Sequence, residues 1–142
     1  MTANAGYSGT PLAKKLGLKD GQAAAFVNLP ESLDWLANER EFESVQKARD
    51  WSDVSGDGLD YIQLFTDSAA TIDASTPVLR QKIKSNGMIW MSWPKKASKV
   101  PTDVTEDVIR DRALSDILVD VKVCAVDEIW SGLKLVIRKE HR

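Results

Sequence analysis

Met88-Ile89-Trp90-Met91-Ser92-Trp93 is apolar at nearly every position and is closed by Pro94. A run of this kind predicts a strand buried on both faces, at the centre of a sheet. Upstream, Leu59-Asp60-Tyr61-Ile62-Gln63-Leu64-Phe65-Thr66 follows the turn Ser55-Gly56-Asp57-Gly58 and predicts a second buried strand. Ala23-Ala24-Ala25-Phe26-Val27-Asn28-Leu29, between Asp20-Gly21 and Pro30, predicts a third. Ile72, Val78, Leu79 and Ile83 suit helical segments between the first two runs. There Ser75-Thr76-Pro77 marks a fresh helix start and Asn86-Gly87 its end.

Helices are expected on both sides of these strands. Thr10-Pro11, then Leu12 to Leu16 and Gly17, has an N-cap, a proline at the first helical position and a closing glycine. A short helix is expected from near Glu31, whose charge suits the positive end of the helix dipole. Residues 39–53 are open between two readings. Phe42, Val45, Ala48 and Trp51 recur every three residues, as in a helix, while a short strand around Phe42 to Val45 fits equally. Asp103 with Glu106 has the logic of a capping box ahead of a helix that buries Val104, Val108 and Ile109. At the C-terminus, Val119, Val121, Val123 and Ala125 alternate with Asp120, Lys122, Cys124 and Val126. Leu133, Leu135 and Ile137 alternate likewise, so the two stretches predict an antiparallel hairpin joined through Glu128 to Gly132. The whole reads as an α/β fold: a three-layer Rossmann-like sandwich with a mostly parallel sheet ending in an antiparallel C-terminal hairpin.

The chain has 142 residues, 43% hydrophobic and 28% charged, which is the composition of a globular domain and excludes collagen-like or wholly disordered chains. Residues 1–142 are read as one domain, with residues 1–9 either mobile or anchored by Tyr7. One Cys and one His, His141 near the C-terminus, leave no disulfide framework and no His-based triad or zinc site, so no metal is expected. No run reaches membrane-spanning length, and no basic stretch with an apolar run follows Met1, so a cytoplasmic protein is expected. Nineteen Lys and Arg face 21 Asp and Glu, so the net charge of -2 gives no general attraction to nucleic acid or anionic membrane. The charge is unevenly spread. Six bases and no acid lie between Arg80 and Lys99, while ten acids face three bases from Asp20 to Asp60.

The order from residue 59 to 139 (strand, helix, strand, helix, terminal hairpin) resembles the second half of a class I methyltransferase fold. That resemblance implies S-adenosylmethionine as cofactor. Enzymes of this class usually carry an acidic, glycine-rich loop after the first strand, and the corresponding loop here, Asn28-Leu29-Pro30-Glu31-Ser32, holds no glycine. Residue by residue, the chain is similar to a family of small bacterial proteins built on a domain of unknown function. That similarity rests on Gly6-Tyr7-Ser8-Gly9-Thr10-Pro11-Leu12-Ala13-Lys14-Lys15-Leu16-Gly17, on Trp93-Pro94-Lys95-Lys96-Ala97-Ser98 and on Val119 to Lys134. It implies no reaction.

Ligands of open α/β sheets bind outside the carboxyl ends of the parallel strands. If the strand from Val119 runs parallel to that from Met88, the turn Glu128 to Gly132 shares a rim with Trp93 to Lys96. The candidate ligand-binding residues are therefore Trp93, Lys95, Lys96, Trp130, Ser131 and Lys134, with the helix start near Asp103 beside them. Ammonium groups and an indole suit a small anionic ligand with a flat ring. The structural alternative has the two Trp covering the end of the core and Lys95 and Lys96 paired with Asp103, Glu106 and Asp107. Cys124 reads as a small buried hydrophobe and Asp127-Glu128 as turn-solvating charges. No residue is assigned to catalysis and no cofactor is expected. The leading expectation is a non-catalytic domain that binds a small anionic ligand or a protein partner. The alternatives are a reduced S-adenosylmethionine-dependent methyltransferase-like protein and an oligomeric interaction module.

Overall fold

A computed structural model describes residues 9–142; Tyr7 and the reading attached to it lie outside the described residues. Helix α1 spans Gly9–Leu16, and strands β1 (Ala23–Val27) and β2 (Ser44–Ala48) follow, separated by a 3-10 helix at Glu31–Asn38. Then come β3 (Leu59–Phe65), α2 (Ala69–Arg80), β4 (Ile83–Pro94), α3 (Glu106–Ser115), β5 (Leu118–Ala125) and β6 (Trp130–Ile137). The strands form one sheet in the order β2-β1-β3-β4-β6-β5. The first four are parallel; β6 is antiparallel to β4, and β5 to β6. This is the expected three-layer Rossmann-like sandwich.

Each face of the sheet has its own core. Alternate residues Ile62 and Leu64 of β3, Ile89, Met91 and Trp93 of β4, and Leu133 and Leu135 of β6 pack with Ile72 and Leu79 of α2 and Ile109 and Ala113 of α3. Their neighbours Phe26, Tyr61, Phe65 and Trp90 turn the other way, against Ala13 and Leu16 of α1 and Leu33 and Leu36 of the 3-10 helix. The Trp90 indole N–H donates to the Leu16 carbonyl at 2.8 Å, fastening the end of α1 to the middle of the sheet. At that end Gly17, with φ of 83°, closes the helix: Gly17 N–H donates to Lys14 C=O and Leu18 N–H to Ala13 C=O.

Several expectations are corrected. Helix α2 runs unbroken through Pro77, so Ser75-Thr76-Pro77 is not a new start. Proline deprives the Asp73 carbonyl of its helical donor. Arg112 Nε supplies one at 3.1 Å, and the helix continues. Ile83 begins β4, and Asn86-Gly87 lies within that strand where the pairing with β3 slips between Leu59 and Tyr61. A Cβ on Gly87 would stand 2.9 Å from the Leu59 carbonyl oxygen, so glycine here serves close backbone approach and ends no helix. Residues 39–53 hold a strand at Ser44–Ala48, and the three-residue recurrence does not mark one face, since Val45 is exposed. Asp103 does not cap the helix it precedes. Thr105 does, accepting from Val108 N–H, while Asp103 accepts from Ala69 N–H at 2.7 Å at the start of α2.

The hairpin forms, but its alternation is broken. Up to Asp120 the strands pair in one register, and from Lys122 in a register shifted by one, with Val121 as the extra residue. Val119 and Val123 therefore fall on opposite faces.

Gly132 of β6 sits directly over Trp90. A Cβ there would lie 3.0 Å from the indole ring and 3.2 Å from Ser92 Oγ. The indole is held by its bond to Leu16 and cannot move aside freely. Gly132→Ala is expected to destabilise the fold by about 1–3 kcal/mol, measured as a lower urea midpoint with unchanged slope.

Candidate functional site

Strands β1, β2, β3 and β4 end on one rim. The chain leaves β1 toward β2 on one side and leaves β3 toward β4 on the other, so the sheet's switch point is the gap between β1 and β3. A crevice at such a gap is where open α/β sheets take ligands.

Asn28 occupies this gap. Its backbone has φ of 56°, in the left-handed region that glycine normally serves and asparagine tolerates. Its N–H donates to Ala48 C=O at 2.8 Å, and its side-chain amide donates to Phe65 C=O at 3.0 Å. One residue thus joins the ends of β1, β2 and β3. A cavity of about 170 Å³ lies here, lined by Asn28, Arg49, Asp50, Trp51, Phe65 and Thr66 among others. A second groove, of about 480 Å³, shares Asn28 and Arg49 and runs between β2 and the 3-10 helix, where Lys47 and Asp34 pair at 2.8 Å.

Asp50 accepts from the Ser52 hydroxyl and from Ser52 N–H, which hold its carboxyl below the usual range. It remains an acceptor-only carboxylate at neutral pH, at the carboxyl end of β2. The far wall is fixed by α2: Ser68 caps it through Thr71 N–H, and Thr66 Oγ1 accepts from Ser68 N–H. Among the described residues no group of three or more His, Cys, Asp or Glu is placed to hold a metal.

The candidate residues of the hairpin rim do not gather in one place. Strands β4 and β5 do run in the same direction, so the loops after Trp93 and Val126 share the rim; Trp93 lies opposite Ser131, and Lys95 N–H donates to Ile129 C=O at 2.7 Å. The two indoles, however, face opposite sides. Trp93 is 8% exposed and belongs to the core under α2 and α3, whereas Trp130 packs edge-on against Phe65 on the other face, ring centres 5.3 Å apart. Lys95 and Lys96 stay at the rim. Neither pairs with a carboxylate among the described residues, because Asp103 is engaged at α2 and Glu106 and Asp107 bind Arg110. Lys134 lies farther down β6, opposite Trp90 and Lys122. Asp127 closes the hairpin turn by accepting from the N–H groups of Ile129 and Trp130.

Arg49 and Asp50 are not singled out by the sequence, and Asn28 enters there only as the start of a loop without glycine. The signal for Asn28 was its place directly after a buried strand, as an asparagine able to adopt positive φ. Asp50 stood in the stretch whose strand was unresolved.

No protein-family model matches the chain, and no curated protein matches it; the small bacterial family is thus not among the findings. Solved structures do match. Magnesium protoporphyrin IX methyltransferase of Synechocystis PCC 6803 with bound S-adenosylhomocysteine superposes with a TM-score of 0.67 at 11% identity, over 92% of this chain and 81% of that one. The same enzyme with bound S-adenosylmethionine gives 0.65 at 12% identity, over 91% and 76%. A SAM-dependent methyltransferase from Aquifex aeolicus gives 0.63 at 14%, over 92% and 90%. The chain therefore has the Rossmann-like methyltransferase fold. These neighbours also overturn the expectation of no cofactor, since the fold it shares is one solved with adenosyl ligands bound. The loop after β1 holds no glycine, yet Asn28 gives it a positive φ.

Asn28 yields a direct check. Asn28→Gly keeps the positive φ and loses only the amide bond to Phe65, a cost of about 0.5–1.5 kcal/mol. Asn28→Val adds left-handed strain of about 1–2 kcal/mol, so its chemical-denaturation midpoint should fall clearly below that of the glycine variant.

Proposed function

We propose that the chain binds an S-adenosyl compound in the crevice between β1 and β3 and is a methyltransferase-like protein. The observation that carries this reading is the turn at Asn28, which opens the switch point of a sheet that superposes on the matched fold. The residues present fit such a ligand. Asp50, ionised and at the end of β2, suits the two adjacent hydroxyls of a ribose, which need an acceptor. Trp51, with Val27 and Leu64 in the same lining, offers an apolar wall for a purine. Together the cavity and its neighbouring groove fall in the size range of small-molecule sites.

Bound S-adenosylmethionine supplies an electrophilic methyl group on a sulfonium. The chain's own task is then to hold and orient the adenosyl moiety and to admit an acceptor beside it. No residue of the crevice is given a catalytic role. The earlier expectation of a purely non-catalytic domain gives way to this reading.

Calorimetric titration with S-adenosylhomocysteine tests it. A saturable one-to-one heat is expected for the wild type, with affinity about tenfold or more weaker in Asp50→Ala, as for loss of hydrogen bonds to a charged acceptor. No heat from folded wild-type protein at high ligand concentration would overturn the proposal.

A further inference from the structure

The cavity of about 170 Å³ beside Asn28 is too small for a whole adenosyl ligand, since small-molecule sites run from about 300 Å³ upward. Val27, Trp51 and Leu64 offer it apolar surface for a purine, and Asp50 offers an acceptor to a ribose, so base and sugar belong there. What hangs from the sugar has to continue elsewhere. The groove of about 480 Å³ adjoins the cavity through the two residues common to both linings, Asn28 and Arg49. Its other charged side chains are Asp34 and Lys47.

Of the two shared residues, Asn28 is occupied with structure, its N–H on Ala48 and its amide on Phe65. Arg49 directly follows the last residue of β2 and is the one cation among the described residues that line the cavity. The carboxylates on either side of it are engaged, Asp34 by Lys47 at 2.8 Å and Asp50 by the hydroxyl and N–H of Ser52. The Lys47 ammonium is held by Asp34 in turn. Other exposed bases of the chain also lack a carboxylate partner. What sets Arg49 apart is its place, where the ribose acceptor meets the groove.

We propose that Arg49 selects adenosyl compounds that keep an amino-acid carboxylate, by taking that carboxylate on its guanidinium at the mouth of the groove. This role for Arg49 rests on the adenosyl reading of the crevice. The tail of S-adenosylhomocysteine is a zwitterion of one carboxylate and one ammonium group. A planar guanidinium presents two parallel N–H donors to a carboxylate, a match that a lysine ammonium lacks. The Lys47–Asp34 pair supplies both signs of charge farther along the groove. An adenosyl thioether without the carboxylate leaves Arg49 nothing to bind.

Calorimetry on the full chain tests this with three probes: S-adenosylhomocysteine, its decarboxylated analogue S-adenosylthiopropylamine, and 5′-methylthioadenosine, which lacks the amino-acid tail altogether. The wild type should bind S-adenosylhomocysteine about tenfold or more tightly than either shortened probe, as for hydrogen bonds to a charged group. In Arg49→Gln that preference should shrink to about twofold or less, with the affinity for 5′-methylthioadenosine unchanged because the cavity is intact. Arg49→Lys should restore part of the preference, keeping the charge without the fork. A preference that persists in Arg49→Gln would overturn the role of Arg49 and leave the adenosyl site standing. Equal losses for all three probes would also overturn it, making Arg49 a partner of the purine instead. No binding of any probe to the wild type would overturn the adenosyl reading, and this role with it.

Discussion

Asn28 joins three strand ends, and the shape of the rim depends on that junction. A backbone N–H given to β2 and a side-chain amide given to β3 leave β1 turning sharply away between them. Each bond contributes only about 0.5–1.5 kcal/mol net. Their geometric effect is larger than their energy: they fix where the chain departs from the sheet, and so where a crevice can exist between β1 and β3. The short 3-10 helix that follows keeps Leu33 and Leu36 in the core and leaves the groove beside β2 open.

The terminal hairpin completes the same arrangement from the other side. Because β6 enters antiparallel between β4 and β5, the loop after β5 returns to the carboxyl rim, where Trp130 packs on Phe65. Behind it a buried polar chain runs from the Tyr61 hydroxyl to Gln63 and on to Ser92, each group satisfied within the sheet layer. Burial holds the Tyr61 phenol protonated well above its ordinary range, so it serves there as a donor. Gly132 leaves room for Trp90 and Ser92 beneath it, and the Trp90 indole in turn fixes α1. Packing at the centre and the path of the chain at the rim are thus linked through β4.

The sheet was legible in the sequence because its central strands are buried on both faces and are written as continuous apolar runs. What was not legible depended on partners distant in the chain. Pro77 reads as a helix start until Arg112 is seen to replace the missing donor for Asp73. Asp103 reads as the cap of α3 until it is found at α2, beside Ser68. The alternation of Val119 to Ala125 is regular in sequence, and only pairing with β6 exposes the bulge at Val121. The same limit applied to the site. Strand order brought the loops after Trp93 and Val126 to one rim as expected, but alternation within β4 and β6 sends Trp93 and Trp130 to opposite faces. The switch-point residues were not legible because a loop without glycine gives no sign of a positive φ, and here an asparagine supplies it.

The central claim is that the crevice at Asn28 receives an adenosyl ligand. Chemical-shift mapping of the backbone amides of uniformly labelled protein during titration with S-adenosylhomocysteine addresses it most directly. The account predicts saturable shifts at Asn28, Arg49, Asp50 and Thr66, with the hairpin amides from Val126 to Gly132 largely unmoved. An unchanged spectrum, or shifts confined to the hairpin and the loop after Pro94, would contradict it.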